Sequence, residues 1–178
     1  MQPGPEIEQF SEEPKMSSEP TPSQVVAALQ REHPEWIGDI SEAHGEITII
    51  VPRENIAVTC SFLKSSPDTA FDFLSDLCGV DRGPEEEPRF EVNYHLFSTT
   101  KHHRVRLKVL LKEQDPHVQT VTSVWRTANW HERETYDLVG IIFDDHPDLR
   151  RILLPEDWQG HALRKDFPLR GYEPYSLK

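Results

Sequence analysis

"RFEVNYHLF" (89–97) and "RVRLKVLLK" (104–112), joined by "STTKHH" (98–103), decide how this chain folds. Phe90, Val92, Tyr94 and Leu96 alternate with Arg89, Glu91, Asn93 and His95. Val105, Leu107, Val109 and Leu111 alternate with Arg104, Arg106 and Lys108. Successive side chains of a strand point to opposite faces, so each run reads as a strand with one apolar and one wet face. The short polar link makes them an antiparallel hairpin. His102 and His103 fall at its tip, where a solvated loop is expected rather than a metal site.

The surrounding segments fit a sheet covered by helices. "EITIIVP" (46–52) is β-branched and reads as a buried strand. Pro52 and Arg53 then open a helix carrying Ile56, Cys60 and Leu63 at i, i+4 and i+7, which makes Cys60 an inert core thiol. Upstream, Thr21, Pro22 and Gln24 form a capping box for a helix with Val25, Val26 and Leu29 on its apolar side, ended by Pro34. "FDFLSDLCGVDR" (71–82) fits a strand or a short helix, and "GPEEEPR" (83–89) a loop. In "HVQTVTSVWRTANW" (117–130), Val118, Val121 and Trp125 have helical spacing. The order of elements predicts an α+β fold: a mixed, mostly antiparallel sheet with helices on one face, plus an extended C-terminal strip. Residues 1–20, rich in Pro, Glu and Ser, read as a disordered tail, residues 21–154 as the domain, and residues 155–178 as an extended segment that wraps a partner.

Composition narrows the function. The net charge of −12 is uneven. The first 88 residues carry 18 acids and 5 bases, the remainder 13 and 14. Such a chain lacks the basic face that neutralises nucleic-acid phosphates. No apolar run reaches the roughly 18 residues of a membrane span, and the N-terminus does not resemble a signal peptide, so a cytoplasmic-side protein is expected. Two cysteines, Cys60 and Cys78, cannot by themselves supply the four thiolates an iron–sulfur cluster usually takes.

The charge-dense stretch "ERETYDLVG" (132–140) admits three readings. As a zinc-protease motif it fails, because His131-Glu132 is followed by threonine at 135 rather than by the second histidine. Asp144, Asp145 and His146 match no ligand spacing with Glu134. As an acid/base pair, Glu132 and Glu134 lie about 200° apart around a helix and do not converge. The simplest reading is an exposed intrahelical pair, Arg133–Asp137, contributing about 0.3–0.5 kcal/mol. It leaves unexplained the apolar LVGIIF immediately after it, and then the basic, aromatic, proline-containing strip "LRRILLPEDWQGHALRKDFPLRGYEP" (149–174). Arginines with Trp158, Phe167 and Tyr172 are the residues a protein interface favours.

The run Glu132-Arg133-Glu134-x-x-Asp137-Leu138-x-Gly140, then His146-Pro147-x-Leu149-Arg150-Arg151-Ile152-Leu153, resembles the signature of the complex I thirty-kilodalton subunit family, the C-subunits of NADH-quinone oxidoreductase. Trp158-x-Gly160 and Leu163-Arg164-Lys165-Asp166-x-Pro168 resemble its C-terminal extension, and the likeness spans roughly residues 23–170. Asp145 stands where the family usually has glycine. Aspartate tolerates a left-handed turn, so the turn is expected to survive. Ala162 replaces a usual proline.

The resemblance implies a hydrophilic subunit of the peripheral arm with no catalytic residue, metal or cofactor of its own. FMN, Fe-S clusters, NADH and quinone belong to neighbouring subunits. The implied partners are the large quinone-site subunit and the adjacent Fe-S subunits, with the complex on the cytoplasmic side of the inner membrane. The interface residues expected on this basis are Glu132, Arg133, Glu134, Asp137, His146, Arg150, Trp158, Arg164, Lys165, Asp166 and Phe167. An equivalent subunit of a related membrane-bound hydrogenase or other quinone-linked dehydrogenase is the alternative.

Overall fold

The computed structural model of the protein describes residues 22–169, 171 and 172. The expected N-terminal tail and the Thr21 cap lie outside them. The elements run α1 (Pro22–Glu32), β1 (Ile40–Ala43), β2 (Glu46–Ile50), α2 (Ile56–Ser65), β3 (Phe73–Asp81), β4 (Phe90–Phe97), β5 (Arg104–Leu111), β6 (His117–Gln119), α3 (Ala128–Val139) and β7 (Ile142–Asp144). Five strands form a sheet in the order β1-β2-β5-β4-β3, and β6 pairs with β7 apart from it. Within the large sheet only β2 and β5 run parallel. The expected α+β architecture with a mixed, mostly antiparallel sheet is what forms.

The hairpin obeys the alternation. Phe90 faces Leu111 and Tyr94 faces Leu107 across β4 and β5, and all eight predicted core side chains are buried. Val25, Leu29, Ile56, Cys60, Leu63 and Val139 of the helices share one core with them. Burial pushes the Cys60 thiol far up, as an inert core residue requires. The opposite face carries ion pairs, among them Lys108–Glu91 at 2.9 Å and Arg106–Glu46 at 2.7 Å.

One open reading resolves and three change. "FDFLSDLCGVDR" resolves to a strand, β3, because β4 offers it a full ladder. Residues 117–125 are not a helix: His117–Gln119 is a strand held by β7, and a turn leads on to Trp125. Val118, Val121 and Trp125 are buried as predicted, so burial produced the spacing without a helix. His103 is not solvated. Its Nε2 lies 2.8 Å from the Thr69 carbonyl, and its ring stacks on Phe71 at 4.5 Å, because residues 66–71 cross the hairpin tip. Arg89, placed by alternation on the wet face, is only 1% exposed. It precedes β4 and turns inward to meet three carboxylates.

β1 has no apolar alternation and all four of its residues are exposed. It exists because the His44-Gly45 turn, with φ of 55° and 77°, returns the chain onto β2. Asp145 adopts φ 60°, so the left-handed turn does survive there.

Candidate functional site

Helix α3 carries the charge-dense stretch and organises the chain beyond it. Glu132, Thr135, Asp137 and Val139 are buried, while Glu134 is exposed. The two glutamates therefore diverge, as the helical geometry predicts.

Glu132 accepts a hydrogen bond from the Val121 N–H at 2.8 Å and another from the Thr120 hydroxyl, tying the helix to the turn after β6. Burial pushes its carboxyl up to about 7, against the opposing effect of these two bonds. His146 Nε2 stands 3.8 Å from it. That imidazole is neutral, since burial lowers its pKa. Its Nδ1 accepts from the Asp148 N–H at 3.0 Å, and Nε2 faces the Asn129 carbonyl at 3.2 Å. The proton therefore sits on Nε2.

Asp137 is fully buried and binds the chain beyond the helix. Oδ1 accepts from Arg151 at 2.7 Å. Oδ2 accepts from three consecutive backbone N–H groups, Ile152 at 3.1 Å, Leu153 at 2.8 Å and Leu154 at 2.8 Å. Burial would raise this carboxyl, but the donors outweigh it and hold it below the usual range. The intrahelical Arg133–Asp137 pair does not form. Arg133 instead donates to the carbonyls of Arg150 and Arg151, both at 3.1 Å. The doublet Arg150-Arg151 offers no basis in sequence for choosing its inward member. Arg151 takes Asp137, while Arg150 is exposed and pairs with Asp148 at 3.0 Å.

The last turn of a helix leaves carbonyls without intrahelical partners. Here the C-terminal segment supplies them. His161 Nδ1 donates to Asp137 O at 3.0 Å, Leu163 N–H to Leu138 O at 2.9 Å, and Arg164 Nε to Val139 O at 2.7 Å. Gly140 ends the helix at φ 84°. A Cβ there would come within 2.4 Å of Arg164 Nη2 and 2.5 Å of His161 Cδ2, so only glycine allows the segment this close.

A second clasp joins the segment to the sheet. Asp81 accepts from Arg89 at 2.9 and 3.0 Å, from Gly83 N–H at 3.0 Å and from Lys165 N–H at 2.7 Å. Burial pushes the Asp81 carboxyl up, but these donors outweigh it and hold it at about 2. Arg89 also pairs with Asp166 at 2.9 Å and with Glu113. Lys165 thus contributes its backbone, not its charge, to the clasp. Trp158 and Phe167 stack at 6.2 Å, and Tyr172 meets Phe167 edge-on at 5.3 Å.

Sequence reasoning missed Asp81, Arg89, Arg151, His161 and the steric need for Gly140. The "VD" before the acidic Gly-Pro loop and the position of Arg89 at the strand's start were visible. Their meeting with residue 166 was not, because no local pattern encodes a contact so distant in sequence.

The five-stranded mixed sheet recurs in two solved structures. The fold matches a solved archaeal respiratory membrane complex, the membrane-bound sulfane sulfur reductase, with TM-score 0.68 at 20% identity, over 83% of this chain and 85% of that one. That likeness is one of fold alone. The trypsin-resistant fragment (1-134) of Nqo5 matches with TM-score 0.61 at 32% identity, over 71% of this chain and 99% of the fragment.

The chain belongs to the respiratory-chain NADH dehydrogenase 30 Kd subunit family, whose model matches residues 49–173. A relative from Rhizobium meliloti, the second of its NADH-quinone oxidoreductase C-subunits, is 56% identical over 137 residues, 77% of this chain and 74% of the relative. The NADH-quinone oxidoreductase C-subunit of Geobacter metallireducens is 45% identical over 155 residues, 86% and 94% of the two chains. Among the described residues no helix is long and apolar enough to cross a membrane.

Proposed function

We propose that this protein is a scaffold subunit of the peripheral arm of NADH-quinone oxidoreductase, docking through its clasped segment onto the large quinone-site subunit. The observation that carries this reading is the placement of apolar surface. Leu153 and Leu163 are each 60% exposed and Leu169 is fully exposed, on a segment whose backbone is fixed by Asp137, Arg164 and Asp81. Trp130 of α3, 65% exposed, lies under the Arg133 guanidinium. A chain that fixes its backbone with buried charges while turning leucines outward is built to be covered. NADH oxidation by FMN, electron transfer through Fe-S clusters and quinone reduction belong to the neighbours, on the cytoplasmic side of the membrane. This protein's own contribution is shape and fixed contacts. Glu134 and Arg150 are its outward charges for that contact.

The test is a tagged Leu153→Asp/Leu163→Asp variant, recovered from gently solubilised membranes. A folded subunit that no longer co-elutes with Fe-S subunits and NADH-driven quinone reduction is the expected result. Normal incorporation overturns the reading. Co-elution of the wild type with nickel and hydrogen-dependent activity would assign the chain to the hydrogenase branch instead. Truncation at residue 155 is a poorer test, because it also strips α3 of its C-terminal partners.

A further inference from the structure

One cluster of metal-binding side chains lies on β3 and β4, beside Leu163 of the docking segment. Asp76 and Cys78 project from the outer face of β3, since Leu74 and Leu77 take the core side around the bulge between Leu74 and Asp76. His95 of β4 is the direct cross-strand partner of Asp76. Directly opposed residues hold their Cβ atoms only about 4.5–5.5 Å apart, and diagonal ones somewhat further. One carboxylate oxygen, the Cys78 sulfur and one His95 nitrogen all lie within 4.8 Å of one another. His131 of α3 comes over the edge of β3 and sets its Nδ1 3.6 Å from the Asp76 carboxylate. We infer that Asp76, Cys78 and His95 form a binding site for a zinc-class divalent cation.

The donor set fits that ion. Zinc is borderline-soft and takes thiolate, imidazole and carboxylate together, with bonds of about 2.0–2.3 Å. Donors on a tetrahedral ion at such distances sit roughly 3.3–3.8 Å apart, so the three atoms close by about 1 Å. Asp76 is exposed and Cys78 and His95 are half-buried, so side-chain rotation suffices while the strands stay in register. A cleft bordered by Asp76, Cys78, Glu134 and Leu163 gives an ion access from solvent.

The charge surroundings are balanced. Arg106 pairs with His95 across β4 and β5 and opposes a cation, but its guanidinium is drawn to Glu46 at 2.7 Å and Thr48 at 3.3 Å. Asp76 and Glu134 act in the cation's favour. Cys60 does not compete, being buried in the core.

The full chain, stripped with a chelator, would be titrated with cobalt(II) and then with zinc. The expected result is one equivalent of cobalt with a thiolate-to-cobalt charge-transfer band and the intense visible bands of a tetrahedral ion, both abolished by zinc. Cys78→Ser should lose the charge-transfer band. His95→Gln should weaken binding at least tenfold. Each variant is checked by circular dichroism, and Cys60→Ala should leave the band intact. Failure to bind, a spectrum without thiolate character, or a band that survives in Cys78→Ser would overturn the site.

Discussion

In Phe90–Phe97 and Arg104–Leu111 every second side chain is packed among apolar neighbours, and a continuous ladder joins the two strands. Between His146 and Phe167 there is neither helix nor strand, and the chain is positioned by carboxylates, guanidinium groups and the open carbonyls of α3. The first region is ordered by non-directional burial, which tolerates exchange of one apolar side chain for another of similar volume. The second is ordered by directional bonds to a few buried charges, in which removal of one partner leaves others desolvated and unmatched. A segment ordered in this second way keeps its apolar side chains free for another surface.

Arg89 joins the two regions, so its loss should have the largest effect. Arg89→Met leaves Asp81 buried without its cation and frees Asp166 and Glu113. A cost of about 3–5 kcal/mol in chemical denaturation is expected, the usual range for breaking a buried pair. A loss under about 1 kcal/mol would mean that the clasp is not part of the domain's stability.

Glu132 tests the link between α3 and the turn after β6. Its carboxyl has an ordinary pKa of 4.5 and reaches about 7 in the folded protein. The folded state therefore holds a proton that the unfolded state releases, and stability falls as pH rises from 4.5 to 7, by roughly 3 kcal/mol, then levels off. His146, with its pKa lowered, contributes the opposite slope, losing stability as pH falls below its ordinary value of 6.5. The difference between wild type and Glu132→Gln isolates the first effect. It should grow across that window in favour of the variant, and a difference independent of pH would contradict the buried, protonated carboxyl.

Gly140→Ala forces a side chain into φ 84° and against Arg164 and His161. The backbone alone costs about 1–3 kcal/mol. Limited proteolysis should show the C-terminal segment released while the sheet remains resistant. Arg150→Ala is the smallest change, within about 0.5 kcal/mol of wild type, because its pair with Asp148 is exposed. Its effect should appear in assembly of the complex.

Legibility in the sequence divides along the same line. The alternation in β4 and β5 and the helical spacing of Ile56, Cys60 and Leu63 are local patterns produced by burial, and they are readable. Residues 117–125 show the limit of such patterns, since Val118, Val121 and Trp125 are buried by a strand and a turn with the periodicity of a helix. The clasp is legible only as a motif. Glu132, Arg133, Asp137 and Arg164 stand out, but their partners do not, because those lie 11 to 25 residues away in sequence, and Asp81 and Lys165 meet only after the whole sheet is built. Local spacing even suggests the wrong partner for Asp137, which prefers three backbone N–H groups and Arg151 to the arginine one turn away.

The most direct measurement is amide hydrogen exchange at Ile152, Leu153 and Leu154 in the isolated subunit. These three N–H groups belong to no helix or strand and donate to the Asp137 carboxylate. If the segment is fixed by its own domain before any partner arrives, all three exchange slowly in wild type and fast in Asp137→Asn, while Leu107 and Val109 in the sheet remain protected in both. Fast exchange at all three amides in the wild-type protein would contradict the account, because the segment would then be ordered by its partner and not by Asp137.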